Sequence, residues 1–246
     1  MNGSENEKKK IQISIYRTDG KSGEYKDYEV PLEEGMVVLD AVRYVQEHID
    51  TTLAIRWNCK AARCGSCAAE INNMPKLMCK TRIDSINGKI RVAPMGAFRG
   101  VADLVTDVSE NYLINRQIPE FSPKEAKSPW VIKQMDVERT KEFRKCIECF
   151  LCQDVCHVIR EHKAGYVGPR HIVKAASLDM HPMDNLDRSE FLNKEAGLGY
   201  CNITKCCQDV CPEGIKITDN AIIQEKERAV DRFYDPLFWV RRKKKG

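Results

Sequence analysis

Twelve cysteines divide this chain into two territories, Cys59 to Cys79 and Cys146 to Cys211, with none between them. Nothing else in the sequence restricts the fold as strongly, because cysteines at fixed short spacings wrap their loops around a common object. The N-terminus, MNGSENEKKK, lacks the apolar stretch of a signal peptide, and no window approaches the roughly 18 uninterrupted apolar residues of a spanning helix. The chain is therefore expected to be neither membrane-spanning nor secreted by the usual route. In a reducing compartment such cysteines are more often metal ligands than disulfides.

In the first territory Cys59, Cys64 and Cys67 have the spacing C-x4-C-x2-C, and Cys79 follows after eleven residues. Three thiolates from one tight loop can wrap one side of a two-iron cluster while a fourth arrives from a neighbouring strand, the plant-type ferredoxin arrangement. The loop CKAARCGSC is built of small residues, Ala61, Ala62, Gly65 and Ser66, whose backbone can approach inorganic sulfide and point N–H groups at a negative cluster. A zinc site is the bland alternative, but zinc usually takes two close cysteine pairs, and here the fourth cysteine stands alone.

In the second territory CIECFLCQDVC supplies Cys146, Cys149, Cys152 and Cys156 as C-x2-C-x2-C-x3-C. In two-cluster bacterial ferredoxins the fourth cysteine of such a run binds the other cluster. A second run, CNITKCCQDVCP, places Cys201, Thr204, Cys207 and Cys211 at the same spacing and ends in Pro212, with threonine where one cysteine would stand. One four-iron cluster then takes Cys146, Cys149, Cys152 and Cys211. The other site keeps Cys156, Cys201 and Cys207, a set suited to a three-iron, four-sulfur cluster, because the iron without a thiolate is the one left out. A neutral threonine in place of a thiolate raises the expected reduction potential, since net charge is one of the quantities that sets it. Cys206, beside Cys207, reads as a small buried thiol against this site.

Two domains fit 246 residues, and 42% apolar content with a net charge of +4 is that of an ordinary globular protein. IQISIYR alternates Ile11, Ile13 and Ile15 at period two, with turn residues TDGKSG before DYEVPL, which predicts a hairpin. VVLDAVRYVQEHI has helical spacing, and AAEIN, KLMCKT and KIRVAP read as short strands, giving a small α+β domain over 1–116. Ile118 to Pro129 carries three prolines and reads as an extended connector, 117–130. Beyond it, 131–246 is expected to be mostly α, with helices in VERTKEFRKC, in GPRHIVKAASL with Pro169 at the first helical position, and in TDNAIIQEKERAV with Thr218 or Asp219 as N-cap.

The three ligand blocks, WNCKAARCGSC with CKT, CIECFLCQDVC and CNITKCCQDVCP, closely resemble in order and spacing those of the iron–sulfur subunit of succinate dehydrogenase and fumarate reductase, over nearly the whole chain. The resemblance implies an N-terminal β-grasp ferredoxin domain and a C-terminal α-helical ferredoxin domain. It also implies an electron relay between a separate FAD-containing flavoprotein and a quinone at an integral membrane anchor, which admits haem. The subunit would lie peripherally on the cytoplasmic face of the membrane. By the same resemblance the two-iron cluster (Cys59, Cys64, Cys67, Cys79) is nearest the flavin, the four-iron cluster (Cys146, Cys149, Cys152, Cys211) is in the middle, and the three-iron cluster (Cys156, Cys201, Cys207) is nearest the quinone. No glycine fingerprint for a dinucleotide is present, so succinate chemistry is expected on the partner.

The chain departs from that pattern at the acceptor side. His157 follows Cys156 where many members have proline, CHVIREH contains no tryptophan, and Asn202 instead of histidine follows Cys201. A relay to a non-quinone acceptor therefore stays open beside the quinone reading. His157 is the candidate quinone-proximal residue, and His162 is read as locally hydrogen-bonded. His48, His171 and His181 lack ligand-like spacing and are expected to be structural or exposed. Phe238 and Trp239 before Arg241–Lys245 suit an anionic membrane surface, at about 1 kcal/mol per basic residue. A zinc-stabilised module binding nucleic acid is disfavoured by the modest net charge and the absence of a basic stripe.

Overall fold

The computed structural model describes residues 9–125, 131–162 and 165–236 and resolves into two compact units. The first runs to Val108 and takes in Ile147–Asp154; the second comprises Ser109–Cys146 and the chain from Val155. The units are thus not the linear segments 1–116 and 131–246. The run Ile147–Asp154 joins the first unit for a visible reason. The Phe150 ring stands edge-on to Phe98 at 6.5 Å between centroids, and the Asp154 carboxylate accepts from Ala97 N at 2.9 Å.

In the first unit the hairpin forms as its alternation predicts, β1 (Lys10–Thr18) against β2 (Gly23–Pro31), antiparallel from Lys10↔Pro31 to Thr18↔Gly23. Ile13 and Ile15 are fully buried, each worth about 1.5–3 kcal/mol, while Ile11 is half-buried. Helix α1 (Val38–Tyr44) continues as a π turn to Ile49 and buries Val38, Leu39, Ala41, Val42 and Val45. β3 (Ala68–Ile71), β4 (Met74–Leu77) and β5 (Ile90–Ala93) complete a sheet of order β2-β1-β5-β3-β4. In it β5 runs parallel to β1 with Ile13 opposite Ile90, and β3 is antiparallel to both β5 and β4. Insertion of the last strand beside the first is the β-grasp arrangement. KLMCKT is a strand only as far as Leu77, so Cys79 stands in the turn after β4 and not on a strand.

A second hairpin, β6 (Arg99–Ala102) and β7 (Val105–Asp107), turns through Asp103 at φ +43°. The buried Asp103 carboxylate accepts from Thr18 N at 2.9 Å, Arg17 Nε at 2.9 Å and Ala54 N at 2.7 Å. It thereby pins the segment that leads into the cysteine loop at Cys59.

Among the described residues the second unit is built from helices: α2 (Ser109–Gln117), α3 (Gln134–Lys141), α5 (His157–His162), α6 (Pro169–Asp179), α7 (Ser189–Lys194), α8 (Cys206–Asp209) and α9 (Ile223–Phe233); the short α4 (Leu151–Asp154) belongs to the first unit. Pro169 opens α6 at its first position, where a missing N–H costs nothing. The expected N-cap at Thr218 or Asp219 does not form. A π turn (Ile217–Ile222) precedes α9 with Lys216 as its cap, which leaves Thr218 inside the helix and buried. In the connector Pro123 forms an isolated bridge with Asp184, and fully buried Arg188 binds the carbonyls of Pro119 (2.8 Å) and Glu120 (2.7 Å) and the carboxylates of Asp179 (2.9 Å) and Asp184 (2.8 Å). The tail Phe238–Lys245, Lys8, connector residues 126–130 and the His162 side chain lie outside the described residues.

Candidate metal centres

The loop of the first centre places positive φ at Lys60 (54°), Ala62 (54°) and Gly65 (70°), so successive N–H groups turn inward as an anion-binding concavity. Two of them, Ala61 N and Arg63 N, donate to Cys59 Sγ at 3.3 Å each. Cys64, Cys67 and Cys79 also act on one another. Burial opposes ionisation of Cys64, but hydrogen bonds from Ser66 and Cys59 prevail and bring its thiol to about 6. Burial, with Cys79 beside it, pushes Cys67 up to about 12. Gly65 has a second role: a Cβ there would lie 2.7 Å from Cys149 Cα, so this loop is in direct backbone contact with the next cysteine run.

That run and the one containing Thr204 share a local backbone. A 3-10 turn leads into each: Phe143–Lys145 into Cys146 (φ −63°, ψ 118°), and Leu198–Tyr200 into Cys201 (φ −68°, ψ 120°). Cys149 is then flanked by Glu148 and Phe150 at φ 54° and 61°, and Thr204 by Ile203 and Lys205 at φ 62° and 64°. A short helix follows in both, α4 and α8. Left-handed conformations are costly for such residues, and for β-branched Ile203 above all, so their paired recurrence identifies Thr204 as the positional equivalent of Cys149.

Around Thr204, the thiols of Cys156, Cys201 and Cys207 interact with one another, and burial raises Cys156 and carries Cys207 to about 12. Cys207 Sγ lies 3.3 Å from the buried Thr218 hydroxyl, the role Thr218 takes instead of capping. Cys206 is half-buried, not fully buried as expected, because it opens α8 and turns its sulfur to the Thr204 hydroxyl at 3.4 Å. His157 Nε2 lies 2.8 Å from the Asn202 amide, which joins the two acceptor-side departures of the sequence. In the second unit Cys211 interacts with Cys146 and accepts from Ile215 N at 3.4 Å; Cys149 and Cys152 belong to the first unit. His171 is buried in α6 with Nε2 3.4 Å from Asn111 Oδ1, His181 packs edge-on to Phe121, and His48 lies tilted against the Tyr44 ring at 4.6 Å between centroids.

Tyr166 carries no motif and was not legible as a site residue. It is buried, and its hydroxyl has no hydrogen-bond partner among the described residues. Burial, then negative charge on Cys201, Cys156 and Cys207, keeps the phenol protonated. An orphaned buried hydroxyl among thiols, and inward N–H groups in the cysteine loops, fit iron–sulfur clusters. Among the described residues no three His, Cys, Asp or Glu side chains converge as a site for one metal ion.

Residues 10–112 match the 2Fe-2S iron-sulfur cluster binding domain family, and 142–215 the 4Fe-4S dicluster domain family. The fumarate reductase iron-sulfur subunit of Mycobacterium tuberculosis is 30% identical over 223 residues, 83% of this chain and 86% of that protein. The chain belongs to the fumarate reductase/succinate dehydrogenase iron–sulfur subunit family. A chain of the Mycobacterium smegmatis Sdh1 complex in the apo form is 52% identical and superposes with a TM-score of 0.90 over 92% of this chain and 98% of that one. A subunit of the fumarate reductase (CoM/CoB) of Methanothermobacter marburgensis is 32% identical over 83% of this chain, which spans 40% of that protein. As an iron–sulfur subunit of this family, the chain is the electron-relay component of an oxidoreductase complex, with a 2Fe-2S ferredoxin-like domain followed by a helical 4Fe-4S domain. These matches set aside the zinc-module reading.

Proposed function

We propose that the chain relays electrons between an FAD-containing flavoprotein subunit and a quinone at a membrane anchor, through 2Fe-2S, 4Fe-4S and 3Fe-4S centres. Cys59, Cys64, Cys67 and Cys79 hold the first, Cys146, Cys149, Cys152 and Cys211 the second, and Cys156, Cys201 and Cys207 the third. When bound, the clusters accept and release single electrons. The protein's part is to hold thiolates, to aim N–H groups at them and to bury the ligands Cys67, Cys152, Cys156 and Cys207.

The observation that carries this reading is the backbone shared by the two cysteine runs, which puts Thr204 where the first run has Cys149. A fourth ligand position without a thiolate suits a three-iron centre. Close approach of the Gly65 loop to Cys149 suits transfer from the first centre to the second. His157, held against Asn202, is the quinone-proximal side chain. Among the described residues no helix is long and apolar enough to cross a membrane. In this reading an integral anchor subunit, with or without haem, holds the chain at the cytoplasmic face.

The residue types at His157 and Asn202, which depart from the family pattern, support a second reading, delivery to a non-quinone acceptor, beside the relative named for CoM and CoB. Electron paramagnetic resonance of the anaerobically purified complex tests the cluster set. A three-iron signal in the oxidised state and a two-iron signal on reduction are expected; an oxidised complex silent for a three-iron centre refutes it. Succinate-dependent reduction of a quinone analogue, compared with reduction of a disulfide, separates the two acceptors.

A further inference from the structure

Tyr166 is held in place by unusually close backbone packing. Gly165 immediately before it and Gly168 two residues after it have φ of 77° and 90°, Val167 N donates to Ala196 O at 3.1 Å, and a Cβ on Gly197 would fall 1.6 Å from Gly165 O. The contacted segment, Ala196–Tyr200, leads directly into Cys201. Tyr166 is 9% exposed, and its buried hydroxyl finds no hydrogen-bond partner, nitrogen, oxygen or sulfur, among the described residues. Thr218, 1% exposed, sets its hydroxyl 3.3 Å from Cys207 Sγ. One buried hydroxyl thus reaches a thiol of the acceptor-side site, and a second, without a partner, is carried by the loop packed on the segment that leads into Cys201.

A sulfur that ligates iron is a thiolate and has no proton to give, so in the Thr218–Cys207 contact the hydroxyl is the donor. Reduction places further negative charge on the cluster and its ligand sulfurs. A donor aimed at those sulfurs stabilises the reduced form more than the oxidised one, and hydrogen bonds to sulfur are among the determinants of cluster potential. We propose that Thr218 donates a hydrogen bond to the Cys207 sulfur, that the unpartnered Tyr166 hydroxyl donates a second to the centre held by Cys156, Cys201 and Cys207, and that both raise its potential. Both are positioning residues for the relay, and the proposal rests on the three-iron reading above. Aromatic packing alone would be met equally by phenylalanine, whereas the donor role requires the oxygen.

The test is a redox titration of the oxidised three-iron signal in the anaerobically purified complex carrying Tyr166→Phe or Thr218→Val, with Tyr200→Phe, 63% exposed, as control. Each of the first two variants is expected to shift the reduction equilibrium about tenfold toward the oxidised form, about 59 mV to lower potential for one electron, and the control not at all. Resonance Raman of the wild-type complex supplies a measurement independent of any variant: exchange into deuterated water should shift iron–sulfur stretching bands. Unchanged midpoints in both variants at full three-iron signal, or stretches indifferent to deuterium, overturn the proposal. A wild-type complex with no three-iron signal overturns the cluster assignment itself, and the inference falls with it, a result visible before any variant is made.

Discussion

Replacing Arg188 with methionine tests how the second unit is held together. Its guanidinium is fully buried, as are the carboxylates of Asp179 and Asp184 at 0% and 1% side-chain exposure. Methionine replaces most of the volume, so the cavity contribution is small and the loss is electrostatic. Removing one partner of a buried ion pair costs about 3–5 kcal/mol, because the remaining charge is left uncompensated. The carbonyls of Pro119 and Glu120 each lose a donor, at about 1 kcal/mol apiece. Asp179 keeps Arg228 at 3.0 Å, but that guanidinium is 37% exposed and screened by solvent. These contributions share partners and are not additive, so about 5 kcal/mol is the expected loss. At roughly 2–4 °C per kcal/mol it lowers the melting temperature by about 10–20 °C. The assay is the loss of cluster visible absorbance from the anaerobic complex on heating, at one scan rate because unfolding with cluster loss is irreversible. Lys194→Ala, which removes a pair with both side chains about 60% exposed, is the control and should not shift the melt. A variant at Arg188 melting within about 2 °C of wild type would refute the reasoning.

Thr204→Cys should abolish the oxidised three-iron signal and give a second four-iron centre of lower potential, read by the same resonance titration, since the backbone at 204 already matches that at 149. Gly65→Ala forces a Cβ to 2.8 Å from Cys149 Cβ at φ +70°, and should deplete the two-iron and four-iron signals while sparing the three-iron one. His171 is held neutral, its pKa lowered to about 3 by burial and then by Arg170. Because the folded value lies below the unfolded value of about 6.5, its contribution is present above pH 6.5 and is lost as pH falls toward 3. His171→Gln should therefore flatten the fall in melting temperature between about pH 7 and 5; an unchanged slope would remove His171 as a cause.

Much of the fold could be read from local pattern. Alternation gave β1, and Pro169 marked the start of α6, because both signals lie within a few residues of what they specify. The hairpin of β6 and β7 escaped because Asp103 takes positive φ without being glycine or asparagine, and its reward, three hydrogen bonds to residues 17, 18 and 54, is distant in sequence. Thr218 looked like a cap because capping is local, whereas the contact that it makes, with Cys207, spans eleven residues. The cysteine spacings named the candidate ligands, and the structure added the backbone equivalence of Thr204 and Cys149, which spacing alone only suggests. Tyr166 sits in GYVG, a sequence indistinguishable from a loop, and the packing of that loop on the segment leading into Cys201 exists only in three dimensions.

The return of Ile147–Asp154 to the first unit has a consequence for how the chain is made. Synthesis is vectorial, and when Val108 leaves the ribosome the N-terminal unit still lacks Phe150 and Asp154, which cover Phe98 and bind Ala97 N. At roughly 5–20 residues per second it waits several seconds for them, while the segment Ser109–Cys146, bound for the other unit, is already out. A nascent chain released at Val108 therefore lacks the groups that cover Phe98 and bind Ala97 N, and supplying residues 147–154 in trans or by a shortened link should stabilise an N-terminal fragment.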